Sequence, residues 1–125
     1  MTITFTHEES EKHFHNALCN GLGYIQGYGL VLECDESEYR AAKAKLESPC
    51  YEDILMQILN DGGTLTLVDE ECDGEYTKSI TIKDVHERVA KTPIDHLTNV
   101  ITENDDAETA DVIIQTVFYE DLIFG

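Results

Sequence analysis

The chain has no tryptophan, two prolines and only eight Lys or Arg residues, set against twenty-six Asp or Glu. The shortage of basic residues excludes the most. Nucleic-acid binders use Lys and Arg to displace counterions from phosphate, and a net charge of −18 leaves nothing to do so. DNA, RNA and anionic membranes are therefore excluded as partners. Long apolar runs are also missing: none approaches the roughly 18 residues of a membrane span. The opening Met1-Thr2-Ile3-Thr4-Phe5 lacks the basic and long apolar parts of a signal peptide, so a cytoplasmic protein is expected. Cys19, Cys34, Cys50 and Cys72 form no CxxC pair, which argues against disulfides and for small buried apolar groups. No Walker loop, GxSxG or GxGxxG occurs, so neither an enzyme nor a cofactor is expected.

What is present is acid, unevenly spread. Residues 46–77 hold nine Asp or Glu and residues 92–125 hold eight, and neither stretch has a Lys or Arg. Such an excess is either a solubility device or an electrostatic template, and it resists self-association, so a monomer is expected. Duplex DNA carries one charge per about 1.7 Å of axis, so eighteen charges correspond to about 31 Å, or about nine base pairs. A compact chain of this length has a radius of gyration of about 14 Å. The scale suits a template for a groove that reads DNA.

Local patterns predict one α+β domain over residues 1–125, with about five helices packed on a small antiparallel sheet. Thr2 to Phe5 alternates as a strand, and Thr6 with Glu9 makes a capping box for a helix that buries Phe14, Ala17, Leu18 and Leu22. The glycines at 21, 23, 27 and 29 are expected to end that helix before a strand at Leu30-Val31-Leu32. Asp35 or Ser37 opens a second helix, through Leu46, with Tyr39, Ala42 and Leu46 on one side and Arg40, Lys43 and Lys45 as its basic residues. Ser48 and Pro49 start a third, with Ile54, Leu55, Ile58 and Leu59 as its stripe and Gly62-Gly63 as its stop. Thr64–Val68 and Tyr76–Ile82 read as strands joined by a loop whose Asp73-Gly74 step suits a hairpin. A short helix using Val85 and Val89 follows. The next starts at Thr92-Pro93 and buries Ile94, Leu97 and Ile101, and the last runs from a cap at Asp105 or Asp106 to about Leu122, with Ala110, Ile113, Ile114, Val117 and Phe118 inward.

Several constellations are weak. His13 and His15 lie two apart on a helix and point to different sides, so a metal site with Cys19 is disfavoured. Asp69-x-Glu71-x-Asp73-Gly74 is similar to the start of a calcium loop, but Ile80 stands where a bidentate glutamate is needed. Cys50 with His86 or His96 is the conceivable nucleophile pair, without a local signature. The acidic clusters have more to offer. Glu33, Asp35, Glu36 and Glu38 sit at a strand-to-helix corner, Asp69, Glu70, Glu71, Asp73 and Glu75 on a hairpin tip, and Glu103, Asp105, Asp106, Glu108 and Asp111 around a helix start. Shared on one face, they would act as a polyanion. Tyr24 and Tyr28, among glycines, are the tyrosines expected to be exposed.

The stretch Ala17-Leu18-Cys19-Asn20-Gly21-Leu22-Gly23-Tyr24, with Asn104 to Asp111 and the ending Leu122-Ile123-Phe124-Gly125, resembles a family of small proteins encoded by phages and mobile elements. A small acidic protein of that type also looks like the DNA-mimicking inhibitors of bacterial immunity, anti-CRISPR proteins among them. The resemblance implies a stoichiometric, non-enzymatic inhibitor in the bacterial host cell. Its partner would be a basic DNA-binding protein, a CRISPR effector subunit that reads the protospacer-adjacent motif, with restriction enzymes and nucleoid proteins served by the same physics. The alternatives are a nucleotide-signal sponge built on Gly21–Gly29, which would need a positive pocket, and a cysteine or metal enzyme.

Overall fold

The computed structural model describes residues 3–71, 73–104 and 106–124. Through them run α1 (His7–Gly27), β1 (Leu30–Glu33), α2 (Glu36–Ala44), α3 (Tyr51–Asn60), β2 (Leu65–Asp69), β3 (Lys78–Ile80), α4 (Ile82–Arg88), a 3-10 turn (Val89–Lys91), α5 (Ile94–Ile101) and α6 (Ala107–Tyr119). The architecture is the expected α+β, six helices about an antiparallel sheet in the order β1-β2-β3. No helix among the described residues is long and apolar enough to cross a membrane.

α1 begins as its sequence predicts. The Glu9 N–H donates to Thr6 Oγ1 at 3.1 Å and the Thr6 N–H donates to Glu9 Oε1 at 2.9 Å, which closes the capping box. It does not stop at the glycines, however, but continues to Gly27. The reason lies in α6. A Cβ on Gly21 would stand 2.9 Å from the backbone of Ala110 and Asp111, so glycine is what allows the two helices to touch. Glycine inside a helix costs about 1 kcal/mol relative to alanine. Burying Phe14, Ala17, Leu18 and Ile25 with Ala110, Ile114, Val117 and Phe118 more than offsets it. The pair is antiparallel, since Phe14 meets Phe118 while Gly21 meets Ala110.

Gly29, at φ 83°, reverses the chain into β1. β1 pairs with β2 from Leu30 opposite Asp69 to Glu33 opposite Thr66, and β2 pairs with β3 from Leu65 opposite Ile80. Leu65 and Leu67 are buried and alternate with the half-buried Thr66 and Val68, the period of a strand with one covered face.

Other boundaries depart from the sequence pattern for local reasons. Ile3 to Phe5 form no strand, and Phe5 packs edge-on to His13 at 4.8 Å; Thr2 lies outside the described residues. α3 starts after Cys50, not at Ser48-Pro49, because Ser48 takes φ 48° and the Asp53 carboxylate accepts the Cys50 N–H at 3.2 Å. β3 is shorter than its pattern, since Ile82 opens α4 behind Thr81, whose N–H donates to Asp84 Oδ2 at 2.8 Å. α5 buries Leu97 and Val100 and leaves Ile94 46% and Ile101 54% exposed, although both were expected inside. Asp106 caps α6 by accepting the Thr109 N–H at 2.9 Å, and Glu120 ends it in the left-handed region, before Leu122. Asp105, the other expected cap, lies outside the described residues.

Two alanine substitutions separate helix propensity from close approach. Gly21→Ala is expected to lower stability by about 1–3 kcal/mol, through the clash with α6. Gly23→Ala, whose methyl meets nothing within 4 Å, is expected to raise it by about 1 kcal/mol. Urea midpoints check both, and shifts of the same sign would refute the close-approach account.

Candidate functional site

The hairpin loop between β2 and β3 is folded around one carboxylate. Asp69 is 5% exposed; its Oδ1 accepts the Glu71 N–H at 3.0 Å, its Oδ2 accepts the Tyr76 N–H at 3.1 Å, and its own N–H donates to Thr77 Oγ1 at 3.0 Å. Asp73 and Gly74 take consecutive positive φ angles, as an Asp-Gly turn requires. Asp69 is thus an internal anchor, contrary to its expected role as a contact. Glu70, Glu71, Asp73 and Glu75 are left on the surface. The Glu71 side chain lies against Gly29, where an added Cβ would come within 2.5 Å of it.

Asp111 is likewise 5% exposed rather than a surface charge. The Tyr28 hydroxyl donates to its Oδ2 at 2.7 Å and Gln115 Nε2 donates to its Oδ1 at 2.9 Å. The buried Gln115 also holds the C-terminal tail, accepting the Ile123 and Phe124 N–H groups at 2.9 and 2.8 Å and donating to the Phe124 carbonyl at 3.1 Å. Phe124 returns its ring to Tyr28, stacked at 5.0 Å. Tyr28, Asp111, Gln115 and Phe124 therefore form a closed circuit. Burial first, then the hydrogen bond to Asp111, pushes the Tyr28 phenol from its usual 10 up to about 12. Glu103, Asp106 and Glu108 stay exposed around the helix start, and the Thr109 N–H holds the Asp106 carboxyl below its usual range.

Two of the three acidic clusters come together. The hairpin and the start of α6 border the same Tyr28–Phe124 pair: Glu71 lies on Gly29, Tyr76 meets Phe124 edge-on at 5.2 Å, and Asp111 receives Tyr28. Glu33, Asp35 and Glu36 do not join them, because β1 leaves this end at Leu30 and carries them to the other end of the sheet. Asp35 there caps α2 by accepting the Ser37 and Glu38 N–H groups, and Glu36 pairs with Arg40. Four further cations are also spent elsewhere: Lys45 on Asp61, Lys83 on Glu87, Arg88 on Asp84 and Glu120, and Lys91 on Glu120. Among the described residues, Glu70, Glu71, Asp73, Glu75, Glu103, Asp106 and Glu108 form no ion pair.

A groove runs through this end. A hollow of about 350 Å³ is walled by Tyr24, Tyr28, Glu108, Asp111, Leu122 and Phe124, with His96 from α5. A second, of about 410 Å³, continues along Gly23 and Gly27 and shares Tyr24 and Tyr28. Tyr24 is 49% exposed between them, as its glycine context suggested, while Tyr28 is half-buried. No Lys or Arg lines either hollow. No local pattern placed His96, Leu122 or Phe124 at this end; α5 brings the first, and the return of the tail brings the other two. No family model, curated protein or solved structure matches this chain. The chemistry of this end is that of its own groups: aromatic faces, carboxylates and one histidine.

The cysteines also depart from expectation. Cys19 and Cys50 are exposed and Cys34 is half-buried, while Cys72 lies outside the described residues. Cys50 is not paired with His86, which bonds Glu11 at 2.8 Å and stacks on His7, or with His96, which bonds Thr109 Oγ1 at 3.0 Å. His13 and His15 diverge as their spacing requires, His13 to Phe5 and His15 to Asp53 at 2.8 Å, with Cys50 alongside.

Alkaline titration tests the circuit. Burial, followed by the charge of Asp69, also pushes Tyr119 up to about 12. Two of the six tyrosines should therefore ionise about two pH units above a free phenol, and Tyr28→Phe should remove one of these late steps. Because the folded pKa is the higher one, the associated stability is complete below pH 10 and is lost as pH rises towards about 12. Six phenols titrating together near pH 10 in the folded chain would show the circuit to be absent.

Proposed function

We propose that the chain is a non-catalytic inhibitor that occupies the DNA-reading groove of a basic protein, its acidic end standing in for phosphates. One observation carries this reading: exposed carboxylates without ion pairs reach one aromatic groove from two distant segments, Glu108 in its wall and Glu71 of the hairpin against Gly29, next to Tyr28. Unneutralised charges held close together repel one another and weaken the fold, and a basic surface relieves that repulsion. The groove adds a specific grip. A Lys or Arg side chain laid on Tyr24 gains a cation–π contact of about 0.5–2 kcal/mol, and Glu108 at the wall can accept its N–H groups.

The same groups disfavour a nucleotide sponge. A phosphate entering between Tyr24 and Tyr28 meets Glu108 and Asp111, while Arg40 and Lys43 on α2 and Lys45 at its C-cap line neither hollow. The resemblance to phage-encoded inhibitors makes a CRISPR effector subunit the first partner to test, in the bacterial cytoplasm and with this chain as a monomer.

Competition against a short duplex for a purified CRISPR effector complex tests the reading. The chain is expected to displace the duplex. Raising NaCl from about 0.1 M to about 1 M, which shortens the Debye length from about 10 Å to about 3 Å, should weaken it steeply. Reversal of Glu70, Glu71 and Glu108 to Lys should cost about 100-fold or more with native circular dichroism, and Tyr24→Ala about tenfold. Failure to compete, or competition indifferent to salt and to the triple reversal, refutes the proposal.

A further inference from the structure

Away from the acidic end, α1 meets α3 through a set of donors that the groove does not use. Cys50 caps α3 and Asp53 follows in its first turn, so both project from the same end of that helix. On α1, His15 and Cys19 stand one turn apart and share a face. Packing of the two helices brings one donor atom from each of His15, Cys50 and Asp53 within 4.8 Å of the others, with His15 Nε2 2.8 Å from Asp53 Oδ1. Cys19, on the face of α1 that carries His15, stands outside that triad as the next donor along the helix. Two sulfurs, an imidazole nitrogen and a carboxylate oxygen are the donor set of a borderline-soft divalent ion, and magnesium or calcium would call for oxygens alone.

We propose that His15, Cys50 and Asp53, completed by Cys19, bind a zinc-type ion that clamps α1 to α3. Zinc bonds of about 2.0–2.3 Å hold tetrahedral donors roughly 3.3–3.8 Å apart. The widest gap in the triad therefore closes by about 1 Å and the His15–Asp53 contact opens by about 0.5 Å, adjustments within reach of side-chain rotation. On binding, both thiols release their protons to solvent, the proton that His15 Nε2 gives to Asp53 exchanges through solvent so that the bound imidazole carries its proton on Nδ1, and the His15–Asp53 hydrogen bond is replaced by two metal–ligand bonds. His15 is more than two turns from Tyr24 along α1, so the clamp is independent of the acidic groove. Its effect is to tie α1 to α3 across β1 and α2, where α1 packs less extensively than it does on α6.

The test uses the full chain, stripped with chelator under reducing conditions. Cobalt(II) is expected to bind at equimolar ratio with the visible bands of a tetrahedral ion and a thiolate charge-transfer band, to be displaced by zinc, and to raise the melting temperature. His15→Ala, Cys50→Ser and Asp53→Asn should each weaken zinc binding by more than about tenfold. Cys19→Ser should remove about half of the thiolate intensity, in proportion to the ligands lost, and Cys34→Ser should change nothing. Absence of the thiolate band in the unmutated chain overturns the proposal without recourse to variants. Persistence of the full band in Cys50→Ser or in Cys19→Ser overturns the ligand assignment. Neither outcome bears on competition with DNA, so this proposal and the proposed function fail separately.

Discussion

Contact between α1 and α6 at backbone distance is the constraint on which the rest of this molecule depends. It exists because Gly21 has no side chain to hold the Ala110–Asp111 backbone away. Close approach fixes the antiparallel register, with Phe14 against Phe118 at one end and Tyr28 against Asp111 at the other. From Tyr28 follow the Gln115 clamp on the tail, the stacking of Phe124, and the reversal at Gly29 that delivers β1 to the sheet. The acidic end is therefore the terminus of a packed helix pair, with its surface charges mounted on a buried polar circuit.

Carboxylates serve three purposes in this chain, and their surroundings decide which. Asp35, Asp53, Asp84 and Asp106 sit where helix N–H groups lack partners, and satisfy them. Asp69 and Asp111 are inside and are tolerated there because each accepts at least two hydrogen bonds, which offset the loss of water. Most of the other described acids are exposed, as surface charge or as partners in ion pairs. With eight Lys or Arg against twenty-six acids, and most of the cations committed to pairs away from the hairpin, the surface acids near Tyr28, Glu71 and Glu108 among them, are left without a cation. A large share of the acids is therefore framework, and the electrostatic signal at the groove comes from fewer residues than the composition suggests.

Tyrosines divide in the same way. Tyr28 and Tyr119 spend their hydroxyls on Asp111 and on the Tyr76 carbonyl, whereas Tyr24 keeps half of its surface in solvent beside glycines that leave room around it. An aromatic face that is open, flanked by carboxylate and set in a groove that no Lys or Arg lines is matched by a cation, which links the groove to the same basic class of partner as the charge around it.

What the sequence by itself determined is whatever depends on neighbours within about one turn: the Thr6–Glu9 box, the Asp73-Gly74 reversal, the buried stripe Ile54, Leu55, Ile58 and Leu59, the divergence of His13 from His15, and from these the α+β class. Each rests on a hydrogen bond or a periodicity that three or four residues complete. Tertiary structure alone decided that Gly21 belongs inside a helix, that Asp69 and Asp111 are anchors, that Val100 is covered while Ile94 and Ile101 are not, and that Cys50 stands with His15 rather than His86. In those cases the deciding partner lies far away in the chain, as Tyr28 does from Asp111 and His15 from Asp53. A polar side chain carries the same local signature whether it ends in water or among donors, and only the packing of distant helices settles which.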